Sequence, residues 1–145
     1  MSYQERASLV AILTSVVVNT FVIARMLQLR AEGAFAGDDA IAVWATVLAW
    51  AFPAAIGATI LFTVLFRIAE RGREEPRIVD ERDRRFQVRG LSVTFGAIVV
   101  GYMTMIFGLA FGWQAIIGLS VLYASLAIGD LLGNAVRFAS YRIGC

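Results

Sequence analysis

AIAVWATVLAWAFPAAIGATILFTVLFRIA, residues Ala40 to Ala69, carries no charged side chain before Arg67. A run this long and this apolar exceeds the roughly 20 residues that cross a hydrocarbon core. In lipid it has to be helical, because nothing there can satisfy a free backbone amide. Pro53 lies near its middle, where a kink is expected. The excess length predicts tilt, or a turn or two beyond the bilayer.

Three similar runs stand on either side, at about residues 7–29, 91–112 and 114–136. The first has no basic n-region and no small-residue cleavage site, so it reads as a span rather than a signal peptide. The chain is 145 residues long and 59% apolar, above the usual level of a soluble domain. The expected fold is all-α: one polytopic membrane domain, a bundle of four transmembrane helices. A charged loop at about residues 70–90 separates its two halves.

Arginine placement sets the expected orientation. Arg67, Arg71, Arg73, Arg77, Arg82, Arg84, Arg85 and Arg89 lie in or beside the central loop, Arg6 near the start, and Arg137 and Arg142 near the end. The first loop sets Arg30 against Glu32, Asp38 and Asp39. The positive-inside rule then puts both ends and the central loop in the cytoplasm. Trp44 and Trp113 fall at the opposite interface as aromatic anchors. The expected location is the cytoplasmic membrane of a bacterium or archaeon, crossed four times.

The central charged run is VDERDRRFQVRG, Val79 to Gly90. Pro76 ends the preceding segment. Asp80 suits an N-cap, with Asp83 at the third helical position. Asp80 with Arg84, and Glu81 with Arg85, form acid-before-base pairs at i,i+4. The helix is expected to start near Asp80 and run unbroken into the third span. Val79, Phe86 and Val93 share one of its faces, with Phe86 sealing it against span two or the bilayer. A capped helix start and topology signal explains the run. So does a docking surface made of Asp80, Glu81, Arg82, Asp83, Arg84, Arg85 and Arg89. Six acids nearly balance the eight arginines, which disfavours a polybasic lipid reader.

Val-Asp-Glu-Arg-Asp just before the third of four spans resembles a family of small prokaryotic membrane proteins with an Asp-Glu-Arg-Asp signature, carried as a domain of unknown function. The resemblance covers the span order and Val79 to about Gly90. It implies a four-span fold and, from frequent gene neighbours, a small helix-turn-helix regulator as partner. It implies no activity. The chain departs from the family in having no Lys and a longer first loop.

Polar residues inside spans are the other candidates. Asp130 shares a face of span four with Ser120, Tyr123, Ala127, Asn134, Arg137 and Tyr141. Asn134 is placed to bridge Asp130 to Arg137, and Arg67 is a second possible partner. The pair is either a packing device that fixes register or a proton or cation site. In span one, Arg25 lies near enough to the end to snorkel, and Asn19 with Ser15 suits an interhelical hydrogen bond. Small residues at four-residue spacing suggest close helix approach: Ser125, Gly129 and Gly133 in span four, Gly108 and Gly112 in span three, and also Ser92 and Gly96. The span-four ridge lies about 100° from the Asp130 face, so one face is expected inside the bundle and the other is available to a dimer.

Chemistry is largely excluded. The chain has no His and no Lys, and its one Cys is Cys145. Ser-His and Cys-His nucleophiles are therefore impossible. Haem b has no His ligand, loop carboxylates beside arginines make a poor metal site, and no phosphate-binding glycine loop is visible. No cofactor and no metal are expected. A net charge of +2 is too small to imply nucleic acid. The expected partners are membrane lipid, copies of the same chain or subunits of a larger complex, and a cytoplasmic regulator. Three functions fit. The chain is an interaction or regulatory module docking through its charged loop, a small oligomeric transporter using Asp130, or a structural accessory subunit.

Overall fold

The computed structural model describes residues 3–69 and 81–143. Four helices make up almost all of it: α1 Tyr3–Ala31, α2 Ala40–Ala69, α3 Glu81–Ala110 and α4 Ala115–Ile143. Each is long and apolar enough to cross a membrane. With 29 or 30 residues apiece, each is about 44 Å long at ~1.5 Å per residue. That exceeds the ~30 Å hydrocarbon core, so each helix is long enough to cross it tilted or with turns to spare. The spare turns fall where the sequence turns polar. α3 begins ten residues before the expected span, and α4 runs seven residues beyond it. α2 continues past Pro53.

Local chemistry ends the helices. Gly33 and Gly112 have φ of 75° and 86°, a region that glycine alone enters without penalty. After α1, Ala34 N donates to Leu29 O and Gly33 N to Arg30 O. After α3, Trp113 N donates to Gly108 O and Gly112 N to Leu109 O. Both are Schellman motifs. Gly112 is therefore a helix stop rather than part of a packing ridge. Gly108 is buried because the ring of Trp113 lies over it; a Cβ there would overlap the indole. The expected Gly108–Gly112 ridge is a cap, and turn chemistry explains both residues.

Helices pack in the order α2, α1, α4, α3. α3 and α4 form the most extensive seam, α1 bridges α4 and α2, and α2 only grazes α4. α2 and α3 make no comparable contact, so the bundle is open on that side. The seam between α3 and α4 is built from small residues. Ser125 lies where a Cβ on Gly101 would be, Gly129 faces Ala97 and the Thr94 backbone, and Gly133 faces Thr94 and Gly90. Thr94 Oγ1 donates across the seam to Gly129 O at 3.0 Å. The span-four ridge thus packs within the chain. Its counterpart on α3 is Gly90, Thr94, Ala97 and Gly101, whereas Ser92 is exposed and Gly96 meets open space.

The outer surface is apolar. Trp50, Phe52, Phe95, Val100 and Phe107 are all well exposed, a surface suited to lipid and not to water. Inside, Val22 is fully buried, and α1 is the most enclosed of the four helices.

Candidate functional site

Most of the described arginines gather at one end of the bundle, with Arg25 and Arg30 toward the other. Glu5 of α1 meets Arg142 of α4 at 3.9 Å. Phe86, near the start of α3, packs edge-on against Tyr141 of α4 at 5.2 Å between centroids. Phe86 is buried, and its partner is α4 rather than span two or the bilayer. The reason is the seam: once Gly90 and Gly133 bring α3 and α4 together, the next turns of both helices continue the contact past the apolar zone. Arg82 lies over the Phe86 ring, 5.3 Å from its centroid. Glu81, Arg84, Arg85 and Arg89 are exposed and Asp83 is half-buried. Asp80, Val79 and Pro76 lie outside the described residues, so the expected N-cap at Asp80 does too. Over what is described, α3 runs from Glu81 to Ala110 without a break.

A second feature lies in the apolar zone. A cavity of about 660 Å³ separates α2 from α4, with α1 as its floor. Asp130, Asn134 and Tyr123 of α4, Thr14 and Asn19 of α1, and Thr59, Thr63 and Arg67 of α2 all line it, with Arg6 at the charged end. Most of the remaining lining is aliphatic. Register follows from two cross-helix contacts. Thr59 Oγ1 lies 3.4 Å from Thr14 Oγ1, and Tyr123 Oη donates to Asn19 Oδ1 at 2.6 Å. Antiparallel counting from these puts Asp130 level with Ile12, half a turn nearer the charged end than Thr14 and Thr59, and Arg6 level with Arg67, about two turns nearer that end than Thr14. The lining stops at Asn19, Leu48 and Tyr123. There Tyr123 ties α4 to α1, backed by Trp44 in a perpendicular ring contact at 6.5 Å. The cavity is open toward the charged end and sideways, and closed at its deep end.

Most of its polar groups are already partnered. Thr59 and Thr63 donate to Ala55 O and Thr59 O in their own helix. Asn19 Nδ2 donates to Ser15 Oγ at 3.1 Å. Asn134 is buried, and its Nδ2 donates to Asp130 O at 2.9 Å and Asp130 Oδ1 at 3.0 Å. Asn134 thus serves Asp130 but does not bridge it to Arg137. Arg137 shares the same helix face, yet its stem crosses to α3, where Gly90 leaves room. Its Nε, like Tyr141 Oη, is buried without a hydrogen-bond partner. Arg67 lines the cavity with Asp130, but no ion pair joins them. Arg25 is exposed on the outer side of α1.

Thr59 and Thr63, which continue the stripe from Arg67, are the part that sequence reasoning missed. Their signal was four-residue spacing in the most apolar run of the chain. Among the described residues, no group of three or more His, Cys, Asp or Glu side chains could hold a metal.

Fold and site together define a class: an all-helical chain whose four long apolar helices suggest a multi-pass membrane protein. No family model matches the chain, and no curated protein or solved structure is significantly similar to it. The likeness to the Asp-Glu-Arg-Asp family thus stands on span order and Val79–Gly90 alone.

Proposed function

We propose that this chain is a non-catalytic membrane module of a bacterial or archaeal cytoplasmic membrane, with its charged end in the cytoplasm, that docks a soluble regulator or a neighbouring subunit. The observation that carries this is the form of the charged segment from Glu81 on. It is the start of α3, with Arg84 and Arg85 exposed on one side and Phe86 buried against Tyr141 on the other. A helix pinned in this way presents its guanidinium groups at fixed positions, which lowers the ordering cost of docking. It also joins the docking face to a span through unbroken helix, so a change at one end can tilt the other. Arginine suits such a face because its planar fork pairs with carboxylates in two-point contacts. The test is native mass spectrometry of the chain after mild extraction from its own membrane. The reading expects a stoichiometric companion that is lost when Arg84 and Arg85 are both changed to Glu, with insertion unchanged. A companion retained by the double variant would overturn it.

The cavity supports a second reading, an oligomeric proton- or cation-coupled transporter using Asp130. A carboxylate inside the apolar zone is costly and tends to face a cavity or a partner, and this one faces a cavity. Loss of coupled flux from liposomes in Asp130→Asn, with the fold retained, would favour it.

A further inference from the structure

The cavity is the place where α2 ought to meet α4 and does not. α2 is the least enclosed helix and is held almost entirely by α1. The chain's own side chains leave an open groove of about 660 Å³ there. Most of its lining is aliphatic, and its hydroxyl and amide groups already have partners within the protein. Thr59 and Thr63 donate their hydroxyls to Ala55 O and Thr59 O of their own helix, so these hydroxyl protons are already used. Water therefore gains little by filling it, whereas an alkyl chain restores the missing packing.

The shape points the same way. From Arg6 to Asn19 is thirteen residues of α1, about 20 Å at ~1.5 Å each. That matches one leaflet of a ~30 Å core with some length to spare. Phe52 and Leu126 line the cavity and are nonetheless 74% and 48% exposed, so the cavity opens sideways to the bilayer. At its mouth stand Arg6 of α1 and Arg67 of the adjacent α2. Arg67 forms no ion pair or hydrogen bond with any described residue. Arg6 and Arg67 line the charged end of the cavity and Asp130 lies deeper, an order that suits a headgroup anion at the mouth.

We infer that this cavity is a structural lipid site: an anionic glycerophospholipid sets its phosphate between Arg67 and Arg6 and lays one acyl chain between α2 and α4. The site is independent of the docking face on α3, and its test does not involve Arg84 or Arg85.

The test is native mass spectrometry of the full chain equilibrated with equal amounts of phosphatidylglycerol and phosphatidylcholine of the same chain length. The expected result is one phosphatidylglycerol retained per chain, preferred by about fivefold for each arginine engaged near the surface. Arg67→Gln should lose most of the preference, Arg67→Lys should recover part of it, and Ala55→Phe should displace both lipids by filling the cavity. A phosphatidylglycerol carrying a photoreactive group at its chain end should label residues near Leu48 and Ala127, which keeps the inference testable if Ala55→Phe does not fold. Equal retention of the two lipids would overturn it. So would unchanged preference in Arg67→Gln, labelling spread evenly around the helices, or displacement of the lipid by excess inorganic phosphate, which would mean an anion site with no place for a chain.

Discussion

Tyr123 Oη and Asn19 Oδ1 are 104 residues apart in sequence and 2.6 Å apart in space, joined by a hydrogen bond that links α4 to α1 at the deep end of the cavity. Asn19 passes the connection on to Ser15 through its own amide. Within a bilayer such cross-helix bonds contribute about 0.6 kcal/mol on average and up to ~1.7. This one belongs between the two values because it is short but neutral, and no other described residue donates to its acceptor. Tyr123→Phe keeps the ring contact with Trp44 and removes only the hydroxyl. It is expected to destabilise the chain by about 1 kcal/mol, measured by denaturation in mixed micelles. An unchanged midpoint would mean that α1 and α4 are held by packing alone.

The glycines divide into those that touch a neighbour and those that do not. A Cβ on Gly133 would run into Thr94 and the Gly90 carbonyl, whereas one on Gly96 would meet nothing within 4 Å. Gly133→Ala has to push α3 and α4 apart, at a cost of about 1–3 kcal/mol by analogy with overpacked cores. Gly96→Ala adds only helix preference, a gain of about 0.5–1 kcal/mol. Thermal unfolding of the two variants in one detergent should therefore move in opposite directions. If both fall, the α3 surface carrying Gly96 is buried against something else, and a second copy of the chain becomes the first candidate.

Phe86 is the bolt that fixes the first turns of α3 to α4. Its burial against Tyr141 extends the seam beyond the last glycine pair. Phe86→Ala is expected to cost roughly 3 kcal/mol, the low end of the range for a buried Phe. The loss should be local. Amide exchange should quicken from Glu81 to Val88 while the seam from Thr94 onward stays protected. Phe86→Leu should preserve most of the protection. Uniform loss of protection along α3 would show that the projecting turns and the seam form one cooperative unit.

The four spans were legible because length and hydropathy depend on composition alone, and a bilayer needs little more. The continuous helix through Glu81–Arg89 was also legible, since acid-before-base spacing and the absence of Gly or Pro from Glu81 to Arg89 leave no stop signal. What periodicity cannot supply is the identity of the neighbour. It put Asp130, Asn134 and Arg137 on one face correctly, but the long stem of Arg137 is directed by a glycine on another helix. It grouped Gly108 with Gly112 by spacing, although one accommodates a Trp ring and the other reverses the chain. Phe86 was given a face but the wrong partner, because α2 and α3 are consecutive in sequence and not adjacent in space. The cavity was illegible for the same reason. Thr59 and Thr63 are unremarkable in a helix taken singly and become a wall only when α2 stands off from α4.

Asp130 offers a way to separate function from architecture. Its carboxylate lies within a turn of Thr14 and Thr59, inside the apolar zone, where an Asp at a helix centre costs about 2.5–3.5 kcal/mol on insertion scales. Its described hydrogen-bond donor is the amide of Asn134, which also holds the Asp130 backbone carbonyl. An Asn at position 130 retains an oxygen for that donor and removes the charge. Asp130→Asn should therefore leave thermal stability unchanged or raise it. Asn134→Leu, which takes away the donor and leaves the carboxylate facing an apolar wall, should lower stability by about 1–3 kcal/mol. If both hold, the charge at Asp130 serves something other than the fold, and flux measurements on Asp130→Asn become the decisive assay of the transport reading. A clear fall in stability of both Asp130→Asn and Asp130→Ala would instead make the carboxylate a packing element.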